Sequence, residues 1–87
     1  MNKVGEEFTG VITGTADWGI YVQDEESLAE GMVRLASIKG DYFEHEAKKY
    51  RVRGQKTGKI YRLGDEVKVK LVRADKEERQ LDFELIE

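Results

Sequence analysis

The sequence predicts a small all-β domain built as a five-stranded closed barrel, and three observations carry that expectation. Short runs rich in β-branched and aromatic residues recur along the chain, two of them strictly alternating; glycine occurs nine times and proline not at all; and 87 residues hold material for one core. A single core needs roughly 60 residues, and a second would need about as many again. Apolar residues make up 39% and charged residues 38%, a water-soluble composition at the charged end of the globular range.

The first strand is expected over Glu7–Thr15, where β-branched residues dominate, and the second over Trp18–Gln23, with Ala16-Asp17 as a tight connection. An acidic loop, Asp24–Glu30, leads to a short third strand, Gly31–Leu35. Glu66–Ala74 sets Val67, Val69 and Leu71 on one face and Lys68 and Lys70 on the other. Gln80–Ile86 turns Leu81, Phe83 and Leu85 inward, and Lys76-Glu77-Glu78 fits the hairpin loop between these last two strands. The middle breaks the period of two. Phe43, Ala47 and Tyr50 have helical spacing, with Asp41 as a cap and Glu44 as its capping-box partner. Arg53–Leu63, with Gly54 and Gly58, reads as a short extra hairpin or an ordered loop. Five strands, a short helix and an extended loop or hairpin between strands three and four give the element order of an OB-fold. An SH3-like barrel is the rival, but it has no obvious place for residues 41–63.

No cysteine is present, so disulfides and thiolate chemistry are excluded. No apolar run approaches the ~18 residues of a membrane span, and the charged start MNKVGEEF lacks the core of a signal peptide. A cytoplasmic monomer is the default expectation. The net charge of -3 conceals a strong polarity. Residues 1–47 hold three bases against ten acids, residues 48–73 ten bases against two acids, and residues 74–87 two bases against six acids. Salt screens charge beyond about 8–10 Å, so the basic middle can meet an anion although the whole chain is acidic; a solvated charged face is the plainer alternative.

Trp18 and Tyr21 are the most informative pair. Three positions apart on a regular strand, they would face opposite ways; a bulge at Gly19 would return both rings to one face. Two rings on an open sheet face make a stacking platform for unpaired bases, whereas the same rings turned inward are ordinary core. Arg34 in the third strand suits a phosphate or a base. Lys68 and Lys70 form a basic row. Asp75 and Arg79 flank the last turn, where Asp75 either makes a plain ion pair or aims the Arg79 guanidinium outward. Catalysis finds little support. His45, the only histidine, reads as a surface residue; two serines, Ser27 and Ser37, offer no nucleophile beside a base; and no metal-ligand spacing or phosphate loop is present.

The series Val4-Gly5, Phe8-Thr9-Gly10-Val11, Asp17-Trp18-Gly19-Ile20-Tyr21-Val22, Glu30-Gly31-Met32-Val33, Gly64-Asp65, Val67, Val69-Lys70 and Asp75 resembles the framework of the S1 RNA-binding domain over essentially the whole chain. Asp41-Tyr42-Phe43-Glu44 with Thr57–Asp65, and the ending Arg79–Leu85, are similar to the C-terminal S1 domain of ribonuclease R, a 3′→5′ exoribonuclease of the RNase II family. The resemblance implies one S1-type OB barrel over residues 1–87, a piece of a longer exoribonuclease, binding single-stranded RNA on an exposed sheet face. By that match the RNA-binding residues are Trp18, Tyr21, Arg34, Lys70, Asp75 and Arg79. Arg34 stands where S1 domains commonly carry histidine, which favours phosphate contact over stacking. The resemblance also implies no catalytic residue and no metal or other cofactor here. Magnesium is expected only in a separate catalytic domain, and the other domains of the parent ribonuclease are expected partners. Two alternatives stay open: a standalone S1 protein acting in translation or transcription, and a protein-docking barrel, which would expose a larger apolar patch.

Overall fold

The computed structural model describes residues 4–38, 40–75, 77 and 80–86, with Asp75 described by its backbone alone. Eight strands form two sheets. Five close the barrel: β1 (Glu7–Ala16), β2 (Gly19–Asp24), β3 (Glu30–Arg34), β7 (Glu66–Asp75) and β8 (Gln80–Leu85), in the order β1-β2-β3-β8-β7. The other three, β4 (Phe43–Glu46), β5 (Arg51–Gly54) and β6 (Ile60–Arg62), form a small antiparallel sheet inserted between β3 and β7. The expected OB-type barrel is therefore present, with five strands within one or two residues of their sequence-based limits.

Closure depends on two long strands that each serve two neighbours. The first half of β1 pairs with β7, from Glu7 opposite Lys70 to Val11 opposite Glu66; its second half pairs with β2, and the register shifts between Ile12 and Gly14. A second shift lies between Leu71 and Arg73 on β7. Each extra residue bends its strand and increases its twist, so that a ten-residue strand can turn the barrel corner. The ring closes where β3 runs parallel to β8, Met32 beside Asp82 and Val33 beside Phe83. Gly31 permits this approach: a Cβ there would lie 2.7 Å from the Leu81 carbonyl oxygen and 2.8 Å from the Phe83 ring.

The alternation read from sequence sets the core. Ile12, Ile20, Val22, Val33, Val69, Leu71 and Phe83 are buried inside the barrel strands, and Phe8 tilts onto Phe83 with ring centroids 5.7 Å apart. Burying side chains of this size stabilises by about 1.5–3 kcal/mol each. Val52, Tyr61 and Ile38 continue the same core toward the inserted sheet, where Phe43 packs on Tyr61 at 5.6 Å.

The segment between β3 and β5 departs from expectation. The helical elements there are two single 3-10 turns, Leu35–Ser37 and Ala47–Lys49, and the stretch expected to be helical from Asp41 is extended over Phe43–Glu46. Its reason is long-range. The Asp41 carboxylate accepts from the Lys56 amide (2.8 Å), the Thr57 amide (2.8 Å) and the Thr57 hydroxyl (2.6 Å), as well as the adjacent Tyr42 amide. Asp41 thus caps the β5–β6 loop instead of a helix, and β4 takes its hydrogen bonds from β5. The second expectation for the middle, an extra hairpin within Arg53–Leu63, is met by β5 and β6.

Candidate nucleic-acid interface

The β1–β2 turn and the outer face of β2 bring the two aromatic residues together. Trp18 lies in the turn just before β2, 61% exposed, and its indole N–H donates to the Tyr21 hydroxyl at 3.1 Å. The bulge expected at Gly19 is absent. Gly19 pairs regularly with Ala16 and Arg34, and the irregularity sits across the sheet on β1, between Ile12 and Gly14. The rings meet because the turn swings Trp18 back over the strand that carries Tyr21, whose neighbours Ile20 and Val22 point into the core.

These rings form one wall of an open cleft of about 320 Å³, lined further by Glu30, Gly31, Met32, Gln80, Leu81 and Asp82. The register explains that set. Tyr21 is opposite Met32, Met32 is beside Asp82, and Asp82 is opposite Arg73, so one row crosses four strands on the outer surface. Thr13 Oγ1 donates to Glu30 Oε2 and orients that carboxylate at the cleft edge. Met32, Asp82 and Arg73 were not singled out from sequence. The period of two could have turned Met32 outward, but nothing local reveals that residue 32 lies beside residue 82.

Of the other sequence-derived candidates, Arg34 is exposed at the end of β3, opposite Gly19; the next amide, Leu35 N–H, donates to the Trp18 carbonyl at 3.0 Å. Arg34 therefore borders the Trp18 end of the cleft. Lys70 is exposed on β7 between Glu7 and Glu84 and does not line the cleft. Arg79 and the Asp75 side chain lie outside the described residues; the Asp75 backbone pairs with Gln80.

His45 is not a surface residue. Its side chain is 12% exposed, Nδ1 lies 2.8 Å from Asp17 Oδ1, and Nε2 lies 3.0 Å from Thr15 Oγ1. A neutral ring with its proton on Nδ1 satisfies both contacts, donating to the carboxylate and accepting from the hydroxyl. The inserted sheet is thereby tied to the same turn that presents Trp18.

A larger hollow of about 740 Å³ is a poorer home for a phosphate chain. Among the described residues, five carboxylates, Glu6, Glu7, Asp24, Glu25 and Glu26, line it with Lys68 as the one cation. A hydrogen bond to Glu66, together with that residue's charge, pushes the Glu25 carboxyl above its ordinary range, with burial and Asp24 adding to the shift. Asp24, at the start of the acidic loop, is buried and accepts from the Ser27 hydroxyl at 2.8 Å. Among the described residues, no three histidine or carboxylate groups converge to hold a metal ion, and no helix is long and apolar enough to cross a membrane.

The model of the S1 RNA binding domain matches residues 2–86. The chain belongs to the S1 RNA-binding domain family. This S1 domain is 42% identical over 85 residues to ribonuclease R of Aquifex aeolicus, a match covering 98% of the chain and 12% of that protein. It is 39% identical over 87 residues to ribonuclease R of Vibrio cholerae, covering 100% of the chain and 11% of that protein. Among solved structures, Mycoplasma genitalium RNase R in complex with ribose methylated single-stranded RNA matches with a TM-score of 0.89 at 30% identity, over 95% of this chain and 13% of that one. The S1 domain thus spans about a tenth of the length of the curated relatives it matches.

Proposed function

We propose that this S1 domain is the single-stranded RNA-binding module of a ribonuclease R-type 3′→5′ exoribonuclease, an accessory domain that holds RNA while hydrolysis takes place elsewhere in the parent enzyme. The observation that carries the reading is the exposed Trp18 indole, hydrogen-bonded to Tyr21 in the wall of an open cleft. A ring fixed at this exposure offers its face to an unstacked base, and each such stack is worth about 1–3 kcal/mol. Stacking accepts any base, so sequence preference is slight. The relationship to ribonuclease R, one relative of which is solved with single-stranded RNA, supports the same reading.

Arg34 takes a phosphate at the Trp18 end of the cleft, Lys70 contacts the backbone farther along the barrel, and Arg79 with Asp75, by the family match, adds a further phosphate contact. The domain binds without a cofactor of its own; magnesium belongs to the catalytic part of the enzyme, whose other domains are its partners in the cytoplasm. Tethered there, a weak module raises the effective concentration of a 3′ tail near the catalytic channel.

The test is a titration of the domain with oligouridylate, followed by emission of its single tryptophan. Quenching is expected, with log affinity falling against log salt by about 0.7 per phosphate contact. Emission that stays constant at saturating RNA would falsify the proposed cleft.

A further inference from the structure

The cleft explains where bases stack but supplies little positive charge: its described lining holds two carboxylates, Glu30 and Asp82, and no lysine or arginine. Apart from Arg34 at its border and Arg73 at the end of the adjoining row, the cations concentrate elsewhere. Residues 43–62, the inserted sheet with its turns, hold seven bases against two acids; the rest of the chain holds eight against sixteen. We propose that one end of this inserted sheet, formed by Lys48, Lys49, Tyr50, Arg62 and Leu63, is a second RNA contact that takes the phosphate backbone and one further base beyond the cleft. This inference rests on the reading that the domain binds single-stranded RNA.

Tyr50 is the strongest sign. It ends the Ala47–Lys49 turn with φ 52° and ψ 47°, a left-handed conformation in which a bulky residue is an outlier and glycine is usual. The ring contributes little to the fold, being 62% exposed. The backbone on either side is fixed: the Tyr50 amide donates to Ala47 and its carbonyl accepts from the Leu63 amide at 2.9 Å. A strained position that presents an aromatic ring to solvent is a pattern of functional sites. Lys48 and Lys49 precede it, and Arg62 and the 46% exposed Leu63 are brought beside it by that hydrogen bond.

Two acids lie near these cations, Glu46 within reach of the Lys49 charge and Asp65, which accepts from the Arg62 amide at 3.1 Å, but neither forms an ion pair with them among the described residues. Glu46 is engaged by Arg51, whose Nε donates to it at 2.6 Å and holds its carboxyl below the ordinary range. Among the described residues Lys48, Lys49 and Arg62 make no ion pair. Three cations beside an exposed ring are the combination that grips a single strand, charge on the backbone and a π-face for a base. Continuity with the cleft comes from His45, three residues before Lys48, which is bonded to the turn bearing Trp18.

Two variants of the intact domain test this, K48A/K49A/R62A and Y50G, beside W18A, with oligouridylates of about 4 and about 12 nucleotides, inside the footprint range of such barrels. Glycine at position 50 relieves the left-handed strain, so its thermal midpoint should not fall. With the longer oligomer the triple variant is expected to bind about tenfold or more weaker and to lower the salt slope by about 2, three contacts at about 0.7 each. Y50G is expected to weaken the same oligomer with its slope kept. The short oligomer should respond to W18A and hardly to the others. If W18A weakens binding while the triple variant leaves affinity and slope unchanged, the second contact is wrong and the cleft stands; an acidic protein surface then becomes the partner for these cations. If the triple variant abolishes binding of both oligomers and W18A has no effect, the cleft reading fails and the basic sheet is the principal site. No binding of either oligomer to the unaltered domain overturns both.

Discussion

The barrel and the inserted sheet divide the work of the chain in opposite ways. The barrel is net acidic, carries the aromatic cleft, and draws its strength from residues sealed between five strands. The inserted sheet is net basic, contributes only Val52 and Tyr61 to the buried set, and is held largely by polar links: Asp41 to the β5–β6 loop, Arg51 to Glu46, and His45 to the β1–β2 turn. Net charge is a poor guide to a binding surface when a fold separates its charges by region. A total of -3 disguises a basic appendage on an acidic body.

The largest effect should come from the barrel core. Phe83→Ala removes a ring that packs on Phe8 and lies against Gly31, and is expected to cost about 3–5 kcal/mol, most of the ~5 kcal/mol of a domain this size. A urea titration followed by circular dichroism would show it, and a loss below 1 kcal/mol would mean the core is not where the strands place it. Next, Tyr21→Ala should weaken RNA binding by about 1–3 kcal/mol with the unfolding midpoint nearly unchanged, measured by parallel RNA and urea titrations. That result would separate binding from stability on the barrel itself.

A smaller, local effect is expected in the insert. The donors from Thr57 and from the Lys56 and Tyr42 amides outweigh the opposing effect of burial and hold the Asp41 carboxyl well below the usual range. A depressed carboxyl stabilises fully above its unfolded value of about 4 and loses that contribution as pH falls below it. Asp41→Ala should therefore lower the protection factors of the Lys56 and Thr57 amides at neutral pH while Val33 in the barrel stays protected; acidifying the unaltered protein below about pH 4 should lower the same protection factors progressively. Equal acceleration in both regions would erase the distinction drawn between them.

The smallest effect concerns Glu25. Its pKa is raised in the fold, mainly by Glu66, so the charged form is disfavoured at neutral pH and the penalty is relieved as pH falls through the raised value. Glu25→Gln should raise the thermal midpoint slightly at neutral pH, and the gain should shrink on acidification. A gain that grew instead would reverse the assigned sign.

The barrel was legible in the sequence because its information is local. Val67, Val69 and Leu71 alternate with lysines, and that alternation alone decides which face is buried. Trp18 and Tyr21 were legible as neighbours, although the turn and not a bulge unites them. What stayed hidden depended on contacts distant along the chain. Asp41 looks like a helix cap until its partners, Lys56 and Thr57, are known. His45 looks idle until Asp17 and Thr15 arrive beside it. Met32 and Asp82 share a cleft only because strands remote in sequence run side by side.

That parallel seam also governs how the molecule assembles. The hairpins β1–β2 and β7–β8 can zip from their own turns, but residues 32 and 82 must find each other across the whole inserted sheet. Chain entropy makes such a meeting slow, which places barrel closure late on the route to the native state. Until then β3 and β8 are open edges, ready to pair with another copy.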